Sequence, residues 1–200
     1  MQDASLLDFW KWAFSDLCDD DLKGILAEWI VLKLLGISSD RRVSWANHDI
    51  IKAGKVKIEV KASSYWQSWK LLDGTGALRP TPLSPVSSDK QIRFVGLKAR
   101  NSDGILKDSD LPDFKSDVYI FAFQHEKQIE RWNAMDLSQW EFYALPVSAL
   151  RALGWKSISL PVLRAEQNKL CGQEILTADS FPEFAKALIE AAEKSETELK

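Results

Sequence analysis

Six consecutive apolar residues, Val118-Tyr119-Ile120-Phe121-Ala122-Phe123, constrain the fold of this chain more than any other segment. A strand that is apolar on both faces suits the centre of a sheet covered on both sides, because a strand with one wet face alternates polar and apolar residues. The segment Gly24 to Ile37 predicts a helix in which Ile25, Leu26, Trp29, Ile30, Val31, Leu32, Leu34 and Leu35 are distributed nearly all the way round. That is the pattern of a helix buried on most sides. Strand and helix signals both recur along the chain.

The remaining elements read as scaffold. Leu6 to Leu17 predicts an amphipathic helix through Leu6, Leu7, Trp10, Phe14 and Leu17. Glu141 to Leu145 predicts a strand, Ser148 to Leu153 a short helix, and Ser180 with Glu183 a capping box that opens a last helix through Phe184, Leu188 and Ile189. Residues Leu71 to Lys90 carry Gly74, Gly76, Pro80, Pro82 and Pro85 and predict a long irregular loop. No repeat or interdomain linker interrupts the 200 residues, of which 46% are hydrophobic and 28% charged, enough for one sizeable core. The expectation is a single domain, residues 1–200. No apolar run reaches the roughly 18 residues needed to span a bilayer, and the start Met1-Gln2-Asp3-Ala4-Ser5 lacks the basic residues of a secretory signal, so a cytoplasmic protein without a membrane partner is expected. Cys18 and Cys171 stand far apart without metal-ligand spacing and read as reduced, packing cysteines.

Chemistry concentrates in Lys57-Ile58-Glu59-Val60-Lys61. Side chains alternate along a strand, so Glu59 and Lys61 share one face and Ile58, Val60 and Ala62 the other. Asp49 lies in a second candidate strand, His48 to Ile51, joined to the first by Lys52-Ala53-Gly54-Lys55, a plausible hairpin turn. Pairing these strands brings Asp49 towards Glu59. Mg²⁺ takes oxygen ligands and needs only one or two protein carboxylates, leaving its other positions to water and phosphate. Lys61 stands where a lysine would orient the attacking water or neutralise charge developing on the phosphorus oxygens. The plainer reading of the same pentapeptide is a solvated strand face. Glu28 lies at helical spacing between Ile25 and Leu32, where a carboxylate is costly unless it pairs with a metal, a donor or a cation such as Arg41 or Arg42.

Glu28 in a helix, Asp49 in a strand and Glu59-Val60-Lys61 in the next strand resemble the PD-(D/E)xK nuclease superfamily, the restriction-endonuclease-like fold. The resemblance covers residues 20–125, a pattern of four residues and their element types, with His48 where the family's name-giving proline would stand. It implies an α/β core of helix, three-stranded meander, helix and further strand, a mixed central sheet flanked by helices, with an α/β extension to residue 200. It also implies Mg²⁺- or Mn²⁺-dependent hydrolysis of nucleic acid. Asp49 and Glu59 would be metal ligands, Lys61 the catalytic lysine, and Glu28 a helix carboxylate assisting the metal. Some members carry a glutamine on the helix after the lysine strand, and Gln67 sits in Ser63 to Lys70, a candidate short helix capped by Ser63 or Ser64.

Net charge is −3 overall, but residues 41–107 hold 13 basic residues against five acidic ones. Such a segment suits a surface that contacts phosphates. Trp66 and Trp69, with Lys57 and Lys70, are candidates for nucleic-acid contact, since aromatics interleaved with cations stack on bases. Trp10, Trp29, Trp132, Trp140 and Trp155 sit in apolar patterns and are expected in the core. The leading expectation is a metal-dependent nuclease acting on DNA, an endonuclease of restriction or repair type and a possible homodimer. The alternatives are a catalytically silent nucleic-acid-binding protein on the same fold, and a protein-interaction domain in which Glu28, Asp49 and Glu59 do not converge.

Overall fold

A computed structural model describes residues 5–42, 48–52, 55–99 and 111–198. The central element is a mixed four-stranded sheet in the order β1-β2-β4-β5, with β1 Ile50–Lys52, β2 Val56–Ser64, β4 Val118–Gln124 and β5 Trp140–Pro146. A two-residue strand β3, Arg93–Phe94, pairs with β6, Ile158–Ser159, in a separate ribbon. β1 runs antiparallel to β2, β2 parallel to β4, and β4 antiparallel to β5. Every residue of β4 is buried, as its unbroken apolar run requires of a strand with neighbours on both edges and layers on both faces.

Each face of the sheet carries its own apolar layer. Ile58, Val60, Val118, Ile120, Ala122, Phe142 and Ala144 face Ala27, Ile30, Val31 and Leu35 of α2, Asp20–Leu35, together with Phe181, Ala185 and Ile189 of α6, Phe181–Glu198. Tyr119, Phe121, Phe123, Tyr143 and Leu145 face Leu150 of α4, Val147–Leu153, and Leu160 and Leu163 of α5, Leu160–Cys171, with Phe94 and Ile158 from the small ribbon. α2 is held at both ends by local chemistry. The Asp19 carboxylate accepts from the Asp21 and Leu22 backbone N–H groups, and Gly36 closes the helix at φ 66°, a left-handed conformation that favours glycine.

Several expectations change. α2 buries one stripe, because Ile25 and Trp29 remain exposed on its outer side. Residues 140–198 are no appendage: β5 is a strand of the central sheet, while α6 and α5 cover its two faces. Where the resemblance implied a three-stranded meander, the described residues show one antiparallel pair, β1 and β2, and then a crossover to β4. Among its described residues that crossover holds the one-turn helix α3, Ser68–Leu71, a short 3-10 turn and β3, and α5, from later in the chain, covers the sheet face beside it. β2 runs on to Ser64, so the short helix begins at Ser68 with Gln67, not Ser63 or Ser64, at its cap position. α1, Leu6–Ala13, ends four residues before Leu17 and buries no residue, and Trp10 is exposed with it. At the last helix, the Ser180 hydroxyl turns back to accept from the Thr177 backbone N–H. Among the described residues no helix is long and apolar enough to cross a membrane.

Candidate active site

β1 covers β2 only as far as Ile58, its partner being Ile50. One step further along the same antiparallel register, Asp49 stands opposite Glu59. The Asp49 N–H donates to the Ile58 carbonyl at 3.1 Å, and Asp49 Oδ2 accepts from the Val60 N–H at 2.7 Å. The carboxylate thus satisfies a backbone donor that the strand edge would otherwise leave unpaired. Glu59 and Lys61 project from the α5 face of β2, opposite Tyr119 and Phe121 in register, and Lys61 Nζ pairs with Glu59 Oε1 at 2.7 Å. Gly96, in the loop after β3, holds φ +69°, and a Cβ built there would lie 3.8 Å from Lys61 Nζ, so this loop backs the ammonium closely.

Glu28 approaches the same edge from the α2 side. Both its oxygens are held by Arg42: Nε donates to Oε2 at 2.5 Å and Nη2 to Oε1 at 2.8 Å. The ion pair with Arg42 is thus one of the partners the sequence offered this carboxylate, and each of its oxygens accepts one N–H. Burial pushes the Glu28 carboxyl above its usual range; Arg42 opposes that shift, and the charge of Asp49 adds to it. Burial likewise raises Glu59, with Asp49 reinforcing the shift, Lys61 opposing it and Glu28 adding a smaller push. The three carboxylates lie close enough to repel one another, although among the described residues no group of three acidic, histidine or cysteine side chains forms a ready metal cage.

Two carboxylates, Asp49 and Glu59, on facing positions of the β1–β2 register form an oxygen donor set of the kind Mg²⁺ or Mn²⁺ takes from a protein. Asp49 and Glu59 fit by their chemistry, and Glu28, the third carboxylate, is held by Arg42 in this structure.

Around this edge lies a cleft of about 490 Å³ lined by Asp20, Asp21, Glu28, Arg42, Asp49, Lys61, Ser63, Gln67 and Arg93 among others. Among the described residues its cations are Arg42, Lys61 and Arg93, and acidic side chains share the wall with them. Gln67 is part-buried: its Oε1 accepts from Lys23 Nζ at 2.9 Å, and Lys23 also pairs with Asp20 at 2.9 Å. Gln67 thus ties the end of β2 to α2 and secures one wall of the cleft. Lys23, Arg93 and Gly96 escaped the sequence reading. Only the positive charges of Lys23 and Arg93 were visible there, and charge alone does not reveal which way a side chain points.

The remaining candidates separate by burial. Trp66 is 3% exposed and donates through Nε1 to the Lys127 carbonyl, so it is a core residue and offers no face to a base. Trp69 is 59% exposed, with Lys70 Nζ 4.6 Å from its ring centre and 2.7 Å from the Ser84 carbonyl it donates to. Lys57 is exposed, and its backbone N–H donates to Asp117. Of the tryptophans expected inside, Trp140 is buried, whereas Trp10, Trp29 and Trp155 are exposed. Compared with known proteins, the chain matches no family model, no curated protein and no solved structure.

Proposed function

We propose that this protein is a metal-dependent nuclease that hydrolyses phosphodiester bonds, a DNA endonuclease of restriction or repair type built on a restriction-endonuclease-like core. The observation that carries the reading is the grouping of Asp49, Glu59 and Lys61 along β2 next to the end of β1, beside a cleft that also holds Arg42 and Arg93. Asp49 and Glu59 would hold the metal, which when bound supplies Lewis-acid activation of water and of the scissile phosphate. Lys61 donates a hydrogen bond from its ammonium to the attacking water or to a phosphate oxygen, and Glu59, 2.7 Å away, keeps that ammonium at the edge. The Asp49 side chain is oriented by the Val60 N–H, which fixes one carboxylate oxygen before any ligand arrives.

One observation favours a second reading. Glu28 is paired with Arg42 and Lys61 with Glu59, an internally paired arrangement that also suits a silent nucleic-acid-binding domain. Incubation of the purified protein with plasmid, linear duplex, single-stranded DNA and RNA, in Mg²⁺ or Mn²⁺ and in EDTA, separates the two. The nuclease reading expects cleavage of a DNA substrate that stops in EDTA. Salt-sensitive binding with every substrate left intact would replace it with the silent one.

A further inference from the structure

The guanidinium of Arg42 has five N–H donors, and Glu28 occupies two of them, one on Nε and one on Nη2. Its side chain is 42% exposed, whereas that of Glu28 is 9% exposed. A buried carboxylate therefore grips one edge of the guanidinium, and among the described residues its other N–H donors make no further hydrogen bond, on a side chain that is partly open to solvent. Arg42 also lines both hollows at this edge: the cleft shared with Lys61, and an adjoining hollow of about 410 Å³ lined by Ile25, Trp29, Leu32, Ile37 and Ile51; Asp49 and Glu28 line both as well. Arg42 thus stands where the two hollows meet, beside Asp49, which lines both, and Lys61, which lines one.

From this arrangement we infer that Arg42 is a phosphate-binding residue for the nucleic-acid backbone, and that Glu28 serves to position it. The inference rests on the nuclease reading and deepens it by assigning a substrate contact. Guanidinium suits the task because its planar fork can hold a carboxylate with one edge and a phosphate oxygen with another, which a lysine ammonium cannot do in fixed geometry. The cost of burying Glu28 is offset by the pairing that aims Arg42, since a bidentate partner removes most of the freedom of a long side chain before the substrate binds. Glu28 is then a positioning residue that acts through Arg42.

The test is the salt dependence of binding, measured by fluorescence anisotropy on a labelled duplex and on its single strands, with Ca²⁺ in place of Mg²⁺ to suppress cleavage. Wild type, Arg42→Met, Arg42→Lys, Glu28→Gln and the Glu28→Gln/Arg42→Met double variant are compared. Each phosphate contact contributes about 0.9 to the slope of log affinity against log salt on duplex DNA. Arg42→Met is expected to lower that slope by about one contact and to weaken binding to unrelated sequences to the same extent. Arg42→Lys keeps the charge and most of the slope. Glu28→Gln lowers affinity less than Arg42→Met and leaves unchanged the Mg²⁺ concentration needed for half-maximal cleavage. The double variant keeps the measurement decisive if Arg42→Met, which strands a buried carboxylate, fails to fold. An unchanged slope in Arg42→Met or in the double variant overturns the inference while leaving the nuclease reading intact. A raised Mg²⁺ requirement in Glu28→Gln also overturns it and returns Glu28 to the metal. A wild type that neither binds nor cleaves nucleic acid removes the nuclease reading, and the inference with it.

Discussion

Arg164 offers the sharpest energetic test of how the crossover is held. Its side chain, 19% exposed, donates from Nη1 to Asp89 at 2.6 Å, from Nη2 to Glu141 at 2.8 Å and from Nε to the Tyr143 hydroxyl at 3.1 Å. Tyr143 in turn donates to Glu141, and Tyr65 to Asp89, so one guanidinium joins α5, β5, the end of β2 and the turn before β3. Arg164→Met keeps the aliphatic volume and deletes the charge. Glu141, with a side chain 13% exposed, is left as an uncompensated buried carboxylate, and breaking a buried pair this way costs about 3–5 kcal/mol. Asp89 is more open to water, where a pair is worth about 0–1 kcal/mol, so it adds little. Tyr143 loses one partner and keeps Glu141. A total of about 3 kcal/mol follows, which for a domain of this length lowers Tm by roughly 6–12 °C at about 2–4 °C per kcal/mol. Thermal unfolding followed by circular dichroism measures it. Adding Glu141→Gln to Arg164→Met should recover part of the loss, because the second change removes the stranded charge. A shift below about 2 °C, or a double variant worse than the single one, refutes the reasoning.

Burial, seconded by Asp49, raises the Glu59 carboxyl above the 4.5 of an unperturbed glutamate. Its stabilising contribution is therefore complete below pH 4.5 and lost as pH climbs through the folded-state value. Metal-free Glu59→Gln should thus melt above wild type at pH 7–8 and level with it near pH 4, and added Mn²⁺ should raise Tm for wild type only. Trp66→Ala opens a cavity in the core and should cost about 3–5 kcal/mol in urea unfolding, whereas Trp69→Ala at the surface should cost about 0.5 kcal/mol or less. Equal costs would mean that their burial has been misread. Gly96→Ala meets no clash at Lys61 but forces a left-handed alanine, a loss of about 1–2 kcal/mol measurable in the same assay.

How much of this was legible depended on whether a signal was local. β4 was readable from Val118 to Phe123 because a strand buried on both faces needs no partner information to identify it. The shared face of Glu59 and Lys61 followed from strand periodicity alone, and Glu28 was singled out as one charge among apolar neighbours. Ser63 and Ser64 misled because serine is the common helix cap, yet here the Ser64 hydroxyl donates to the Trp66 carbonyl at the end of a strand. The exposure of Trp10 and Trp29 could not be read from their apolar settings, since an amphipathic stripe does not say which partner covers it. α5 went unread as a helix: Pro161 at its start and the polar residues Arg164, Glu166, Gln167, Asn168 and Lys169 left few apolar positions, chiefly Leu160, Val162 and Leu163, to mark an inner face. Arg42 was visible only as one of two arginines near Glu28 in sequence, and the pairing became definite when the chain after α2 turned it back onto the helix.

The central claim, a phosphodiester-cleaving site made by Asp49, Glu59 and Lys61, is tested most directly by Glu59→Ala and Lys61→Ala on the DNA substrate that wild type cleaves in Mg²⁺, with binding in Ca²⁺ measured on the same preparations. Both variants are predicted to bind and to lose cleavage by about 100-fold or more, the scale of removing a general acid–base or charge-stabilising group. Cleavage at the wild-type rate by either folded variant would contradict the account.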